Sequence, residues 1–517
     1  MNKADFVYLC ENIYTVTGEC IRGGIAVKNG IILKVCEKDK ITEYCDKNTV
    51  IYDFGNHFLM PSFIDGHTHI MANIQKVDLS SASSIDDCKA LVKDFYEKHR
   101  DMDIIIGEKW YAANLGGILP TKYDIDEIIK DVPFYASDLD LHMVWCNSVL
   151  LNEINKVSDG ILVDKEAMDV IVKYKVPDTI ENIKSMLDIW TEYGVTAVNG
   201  MDFYNADENV YKIIKELLDN GQLNVRVFAS LDAKEATDKS IEYAKSYMNS
   251  DMFRLNALKV FLDGTGSGHT AYMKRKYFDK DTKGACYLNK EKLIEYINLA
   301  YKHGLAMHTH SCGDRAVQIA IDTYNEAFES GIESDYRYSI EHLDTIDSEE
   351  LNKLEEMNKS GKKLSANLTP DFLAPTNFFE NNPYLKVFDH EDRKKLWKIK
   401  SIINTGINVS FGTDYTASSM NPFVQIYRAI TREANDGKPA LGYHPEEKIN
   451  ISEAIMCYTL GSANSIGMED KLGSIEEGKY ADFIVLDRDI TKVTPLIMKD
   501  TKVLVTIVGG KIVYRMR

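Results

Sequence analysis

The chain of 517 residues lacks an excess of positive charge, paired cysteines, and any apolar run long enough to span a bilayer. Each absence removes a class of function. Its 61 lysines and arginines stand against 79 aspartates and glutamates, a formal charge of −18. No basic surplus is left to neutralise nucleic-acid phosphates or an anionic membrane, and a local run such as Lys274-Arg275-Lys276 reads as solvated surface. The nine cysteines are scattered, odd in number and without a Cys-x-x-Cys pair. That argues against a disulfide scaffold or a zinc ribbon and fits a reducing compartment. The first residues, MNKADFVYLCENIYTVTGE, lack the basic start, apolar centre and small-residue cleavage site of a secretory signal. A soluble cytoplasmic protein with a small-molecule substrate, and neither a nucleic-acid nor a membrane partner, is therefore expected. Low-complexity tracts are missing too.

What the chain does carry is ordinary bulk composition, 44% hydrophobic and 27% charged, and a long alternation of strands and helices. Short apolar runs stand at 196–201, 225–231, 257–262, 305–310, 338–342, 364–368 and 409–412. Helical stretches separate most of them, for example 290–303, 313–330 and 348–359. With the run that ends at His67, this makes eight strands. Repeated βα units imply a parallel sheet, and eight of them fit a closed (β/α)8 barrel of the TIM type within the α/β class. A doubly wound open sheet is the competing arrangement. Residues 71–180 interrupt the period with IIIGEKWYAANLGG and VPFYASDLDLHMVWCNSVLL. They are too long for a crossover and read as an insertion packed over the barrel mouth, where a lid would sit. Both chain ends read as strands, turning at Asn29-Gly30 in VKNGIILKV and at Gly509-Gly510 in VLVTIVGGKIVYR; two-residue turns of this kind require positive φ. Neither end has enough strands to stand alone, so residues 1–58 and 468–517 are expected to form one composite β-sandwich beside a barrel at 59–467.

Chemistry gathers at the C-terminal ends of barrel strands. The first strand ends in FIDGHTHI, where His67 and His69 project to the same side of an extended chain. Two converging imidazoles suit a divalent metal, or hydrogen-bond without one. The other strand ends decide between these. Lys259 lies in LNALKVFLDG on the fourth, His308 and His310 in MHTHSCGD on the fifth, His342 in SIEH on the sixth and Asp414 in SFGTD on the eighth. Twelve randomly scattered histidines would rarely gather so. Singly, His310 or His342 would be a packed rim histidine, Asp414 a helix cap and Lys259 half of a salt bridge; together they point to a metal centre. Asp65 is expected to orient its neighbours.

PSFIDGHTHI, HTHSCGDRA, SIEHL and FGTD, in this order, resemble the amidohydrolase superfamily of metal-dependent hydrolases, and GSIEEGKYADFIVLDRD resembles its closing sheet segment. LKVFLDGTGSGHTA, CGDRA, DLDLHMVWCNSVLL and NPFVQIYRAITRE resemble the branch that includes N-substituted formamide deformylase. The resemblance covers nearly the whole chain. It implies that His67 and His69 bind one metal, that His310, His342 and Asp414 are further ligands, and that Lys259 becomes a carbamate by reaction with CO2. An ammonium there would repel a cation, whereas a carbamate is an anionic ligand able to bridge two. One or two divalent ions are implied, zinc first for this donor set. A bound metal brings the pKa of water from 15.7 to about 7. Asp414 would take its proton as general base and pass it to the leaving nitrogen, while the metal and His342 or His310 stabilise the oxyanion. The implied reaction is hydrolysis of an amide-type C–N bond in a small N-acyl or N-formyl amine.

Substrate contacts are less sharply marked. His142, in the insertion, resembles a position near the substrate pocket of that branch. His308 shares a strand face with His310 and is substrate-facing, a support for the ligands, or a packed rim histidine. Ser267-Gly268-His269 stands where relatives carry a GSR-type triplet. His269 in place of arginine loses a fixed positive fork, and with it a carboxylate grip at that point. Cys312 replaces an aliphatic residue beside the metal strand, as an outlying ligand, a reactive thiol or an inert buried one. Trp110 and Tyr111 either line the lid or fill its core. The glycines of DGTGSGH lack the lysine and context of a phosphate loop. A deaminase of a cyclic amidine-type substrate is the alternative, disfavoured because Glu341 directly precedes His342 and no His-x-x-Glu spacing appears. A non-catalytic binding protein is a third reading, against which the full donor set argues. A homodimer is compatible with such barrels, though no self-pairing surface is legible.

Overall fold

Eight parallel strands follow one another in chain order around a single sheet: β1 (Phe63–Thr68), β2 (Val195–Gly200), β3 (Arg226–Asp232), β4 (Phe253–Phe261), β5 (Ala306–Ser311), β6 (Tyr338–His342), β7 (Leu364–Leu368) and β8 (Asn408–Phe411). The computed structural model describes every residue except 1–2, 19, 72–75, 113, 140–142, 175–176, 202–207, 333–337 and 375–377. Strands β1, β2, β5, β6 and β7 are buried along their whole length, as a parallel sheet covered by helices requires. The covering helices include Ile180–Glu192, Lys290–Lys302, Asp314–Glu329 and Ser348–Lys359. Thr179 and Asn289 cap the first two by accepting the backbone N–H of Asn182 and Lys292, which satisfies donors a helix start would otherwise waste.

The two ends of this sheet meet. Beyond β8, Asp414 N donates to His67 O at 2.7 Å, and His69 N donates to Tyr415 O at 3.3 Å. Two glycines permit the approach: a Cβ on Gly66 would overlap Ser410 Oγ, and one on Gly412 would overlap the backbone of His67. The result is a nearly closed eight-stranded barrel in a mixed α/β protein, with the last strand's chemistry set against the first's.

Strands from both chain ends form a second eight-stranded sheet. Its junction is the antiparallel pairing of Phe58–Pro61 with Phe483–Leu486, and Tyr8, Ile25, Leu59, Phe483 and Ile507 fill its core. Its hairpins turn at Asn29-Gly30 (φ 51° and 79°) and Gly509-Gly510 (φ 54° and 72°). A buried ion pair, Arg226 Nε to Asp482 Oδ2 at 2.7 Å and Arg226 Nη2 to Oδ1 at 3.0 Å, fastens this sheet to the start of β3, the end of the barrel away from the strand termini that carry the histidines.

The segment between β1 and β2 is no simple cover. It folds around its own five-stranded sheet, from Val77–Asp78 to Ile161–Val163, with two apolar clusters of its own. A cavity of about 280 Å³ lies where its Asp78, Glu108 and Lys109 face Asp371, Tyr415 and Ser418 from the loops after β7 and β8. Among the described residues no helix is long and apolar enough to cross a membrane.

Candidate metal centre

The two histidines of β1 and the aspartate after β8 meet at the strand termini. Asp414 Oδ1 lies 3.4 Å from His67 Nε2 and 3.2 Å from His69 Nε2. The residue type and the local fold act together here, because Asp414 sits in the left-handed region (φ 46°), which costs a non-glycine residue about 1 kcal/mol or more. Asp65 holds the two strands in place. It accepts hydrogen bonds from Thr413 Oγ1 at 2.6 Å, Thr413 N at 3.0 Å and His67 N at 3.3 Å. Burial pushes its carboxyl up to about 6 in spite of these donors.

A second group adjoins the first. His310 at the end of β5 and His342 at the end of β6 have ring centroids 4.3 Å apart, and the His342 ring is 4.7 Å from that of His67. His342 also occupies the left-handed region (φ 78°), so the sixth strand breaks its extended course where this ring enters the cluster. His342 Nδ1 is buried with no hydrogen-bond partner among the described residues. Cys312 Sγ lies 3.4 Å from His310 Nε2, which also approaches Gly264 O at 3.2 Å. Lys259 of β4 is 1% exposed and within electrostatic reach of His308, His310 and His342.

These surroundings set the charge states. Burial, with the Lys259 charge second, holds the His310 imidazole down to about 3. Burial and the neighbouring imidazoles of His310 and His67 hold His342 well below the usual histidine range. Both are neutral at pH 7 and keep a lone pair. Burial would raise Asp414, yet its neighbours, His67 first and then His69 and His342, outweigh it and keep the carboxyl well below the usual range. Neutral imidazoles around an ionised carboxylate are the protonation states a divalent ion needs.

The distances fit that ion. Metal–nitrogen and metal–oxygen bonds of about 2.0–2.2 Å at a tetrahedral angle separate neighbouring donors by roughly 3.3–3.5 Å. The separations of 3.4 and 3.2 Å around Asp414 lie at or close to this edge, the longer one beyond an ordinary N–H···O hydrogen bond. His67, His69 and Asp414 form one group whose ligand atoms all lie within 4.8 Å of each other, and His310, Cys312 and His342 form another.

The remaining expected contacts are redistributed. Trp110 is wholly enclosed in the core of the inserted unit, where Nε1 donates to Ala136 O at 2.9 Å. His269 pairs with Asp279 at 2.9 Å and sits edge-on to Tyr277 within the long loop after β4. His308 is wholly buried, and its Nδ1 faces Glu341. Cys312 stands behind His310, its thiol pushed well above the ordinary value by burial and nearby Asp344, so it offers no reactive thiolate. His142 lies outside the described residues.

Two buried acids escaped the sequence reading. Asp263, just beyond β4, accepts the backbone N–H of Tyr272, Cys312 and Gly313 at 2.8, 3.0 and 2.8 Å, tying the β4 loop to the turn after His310. Glu341 bonds His67 and His308. A signal existed for it. Tyr338 and Ile340 pack outward, Tyr338 stacking on Tyr324 of the covering helix, so strand alternation sends Glu341 to the opposite, inner face, where a carboxylate needs partners.

Histidine and carboxylate donors that converge at the strand termini of a parallel barrel suit a divalent metal. A model of the amidohydrolase family matches residues 50–514, and the chain belongs to that family, whose chemistry is the metal-dependent hydrolysis of C–N bonds. It is 26% identical to the putative amidohydrolase YtcJ of Bacillus subtilis over 97% of this chain and 98% of that one. It is 22% identical to N-substituted formamide deformylase of Arthrobacter pascens, over 99% and 98%. The crystal structure of an uncharacterized metal-dependent hydrolase from Pyrococcus furiosus superposes with a TM-score of 0.71 at 26% identity, covering 94% of this chain and 100% of that one.

Proposed function

We propose that this amidohydrolase cleaves the amide-type C–N bond of a small N-acyl or N-formyl amine. The observation that carries the reading is Asp414, an ionised, partly buried carboxylate at 3.4 and 3.2 Å from His67 Nε2 and His69 Nε2. His67, His69, Lys259, His310, His342 and Asp414 are assigned as the residues that hold one or two divalent ions, zinc first, with Lys259 as the carbamate formed with CO2. When bound, the ion supplies Lewis acidity toward a carbonyl and toward water. Asp414 accepts the proton of the attacking water at Oδ and returns it to the leaving nitrogen. His342, with a buried Nδ1 and neutral at pH 7, orients the carbonyl oxygen beside this proton path. The likeness to N-substituted formamide deformylase over nearly the whole chain supports the N-formyl or N-acyl class.

Residues 71–180 act as the lid, excluding water above the cavity of about 280 Å³. Residues 1–58 with 468–517 form the composite sandwich unit. The nine cysteines, none in a disulfide, support a cytoplasmic location, and the charge of −18 supports a small molecule, with neither nucleic acid nor membrane, as partner. A homodimer remains part of the proposal. The test is product analysis of zinc-loaded and manganese-loaded protein on a panel of N-formyl and N-acyl amines beside heterocyclic amidines. Formate or another carboxylate, released with an amine, is expected. Turnover of heterocycles alone, with ammonia released, overturns the reading in favour of a deaminase.

A further inference from the structure

Beneath the donor cluster lies an acid that the metal reading leaves unused. Glu341 is wholly buried, and its two oxygens serve imidazoles on two other strands. Oε2 lies 2.5 Å from His67 Nδ1, and Oε1 lies 3.1 Å from His308 Nδ1. Both rings are buried, at 2% and 0% exposure, so neither can turn to water instead. An ionised carboxylate offers only acceptors. Both contacts are then N–H donations, and both rings carry a proton on Nδ1.

For His67 this settles the far side of the ring. Its Nε2, the atom 3.4 Å from Asp414 Oδ1, is left with the lone pair. A histidine that donates from one nitrogen to a carboxylate is oriented by it and made more basic at the other. His308 holds the carboxylate from the opposite side, and its own Nε2 has no hydrogen-bond partner among the described residues. With one oxygen on β1 and the other on β5, the carboxylate cannot rotate without losing a buried bond.

We propose that Glu341 is a positioning residue: shared between His67 and His308, it locks His67 in the Nδ1–H tautomer and so presents Nε2 to the cation. This rests on the metal-centre reading above. Substitutions separate the two roles of the side chain. Leucine removes both acceptors and frees His67 to move its proton to Nε2, where it blocks ligation. Glutamine keeps one acceptor oxygen and turns an N–H toward the other ring. His308 can meet that N–H by changing tautomer, because its Nε2 has no hydrogen bond to forfeit; His67 cannot, without aiming a proton at the ion.

The experiment measures zinc affinity by competition with a chromophoric chelator for wild type, E341Q, E341L and H67A, with circular dichroism to verify folding. Long-range proton–nitrogen correlation spectra of the imidazoles in chelator-treated protein report the tautomers. Affinity is expected to fall in the order wild type, E341Q, E341L, the last by roughly 10–100-fold. His67 is expected as Nδ1–H in wild type and shifted toward Nε2–H in E341L, a change that a merely structural role would not produce. A wild type that takes up no stoichiometric zinc overturns the metal-centre reading itself. A wild type that takes it up, while folded E341L keeps full affinity or His67 is found as Nε2–H, overturns the role of Glu341 alone. Should E341L fail to fold, the wild-type tautomer decides.

Discussion

Asp65 clamps the first barrel strand to the last, and Asp65→Asn separates its charge from its shape. The carboxyl is wholly buried, and burial raises it from 3.8 to about 6 against the three hydrogen bonds from Thr413 and His67. Because the folded value exceeds the unfolded one, the native state holds this proton more tightly. The stability it contributes is full below about pH 4 and lost as pH rises through about 6. At about 1.4 kcal/mol per pH unit the difference amounts to roughly 3 kcal/mol. Asparagine has no such proton. Its oxygen keeps the two backbone N–H groups, and Thr413 Oγ1, the donor at 2.6 Å in wild type, can rotate to accept from the amide. At about pH 7.5 the variant should therefore lie within about 1 kcal/mol of wild type, charge relief offsetting the weakened bond. As pH falls to about 4, wild type should pull ahead by roughly 3 kcal/mol. Urea midpoints of both proteins, chelator-treated, at stepped pH give this gap directly. Parallel curves, or a gap that widens toward alkaline pH, would refute the reasoning.

Three further outcomes are expected. Asp414→Asn should lower kcat/KM by roughly 10²–10⁴ at saturating metal, with metal per chain measured alongside; near-wild-type turnover would remove Asp414 from the proton path. Gly412→Ala places a methyl against the His67 backbone and should cost about 1–3 kcal/mol as overpacking does, with weaker metal retention; an unchanged Tm contradicts the close strand approach. Asp482→Ala strands the buried Arg226 guanidinium and should cost about 3–5 kcal/mol while leaving zinc affinity intact. Loss of zinc affinity there would mean that the end sheet is coupled to the site.

Much of the barrel was legible because its strands are short, apolar and bounded by helices. The runs at 338–342 and 364–368 coincide with β6 and β7, and 348–359 with the helix between them. β4 begins at Phe253, earlier than its apolar run, because Arg254 and Asn256 break the run while the neighbouring strand still pairs with Phe253, Arg254 and Leu255 and skips Asn256. The insertion was harder. Its strands are short, separated by helices, and belong to a sheet of their own, and nothing local says whether IIIGEKW faces a mouth or its own core. Trp110 was left open between lid lining and core for that reason.

By itself the sequence determined that the donors stand at the strand ends, because a two-residue spacing in an extended chain puts His67 with His69 on one side whatever surrounds them. It also pointed to the barrel, since eight βα periods fit a closed sheet, while leaving a doubly wound open sheet as the competitor. Only the tertiary structure decided which donors meet. Asp414 reaches the histidines of the first strand across the seam of the barrel, and Glu341 reaches His67 across the interior. Those pairings join residues hundreds of positions apart, so they depend on closure, on the two glycines at the seam, and on left-handed backbone at His342 and Asp414 that no local pattern announces.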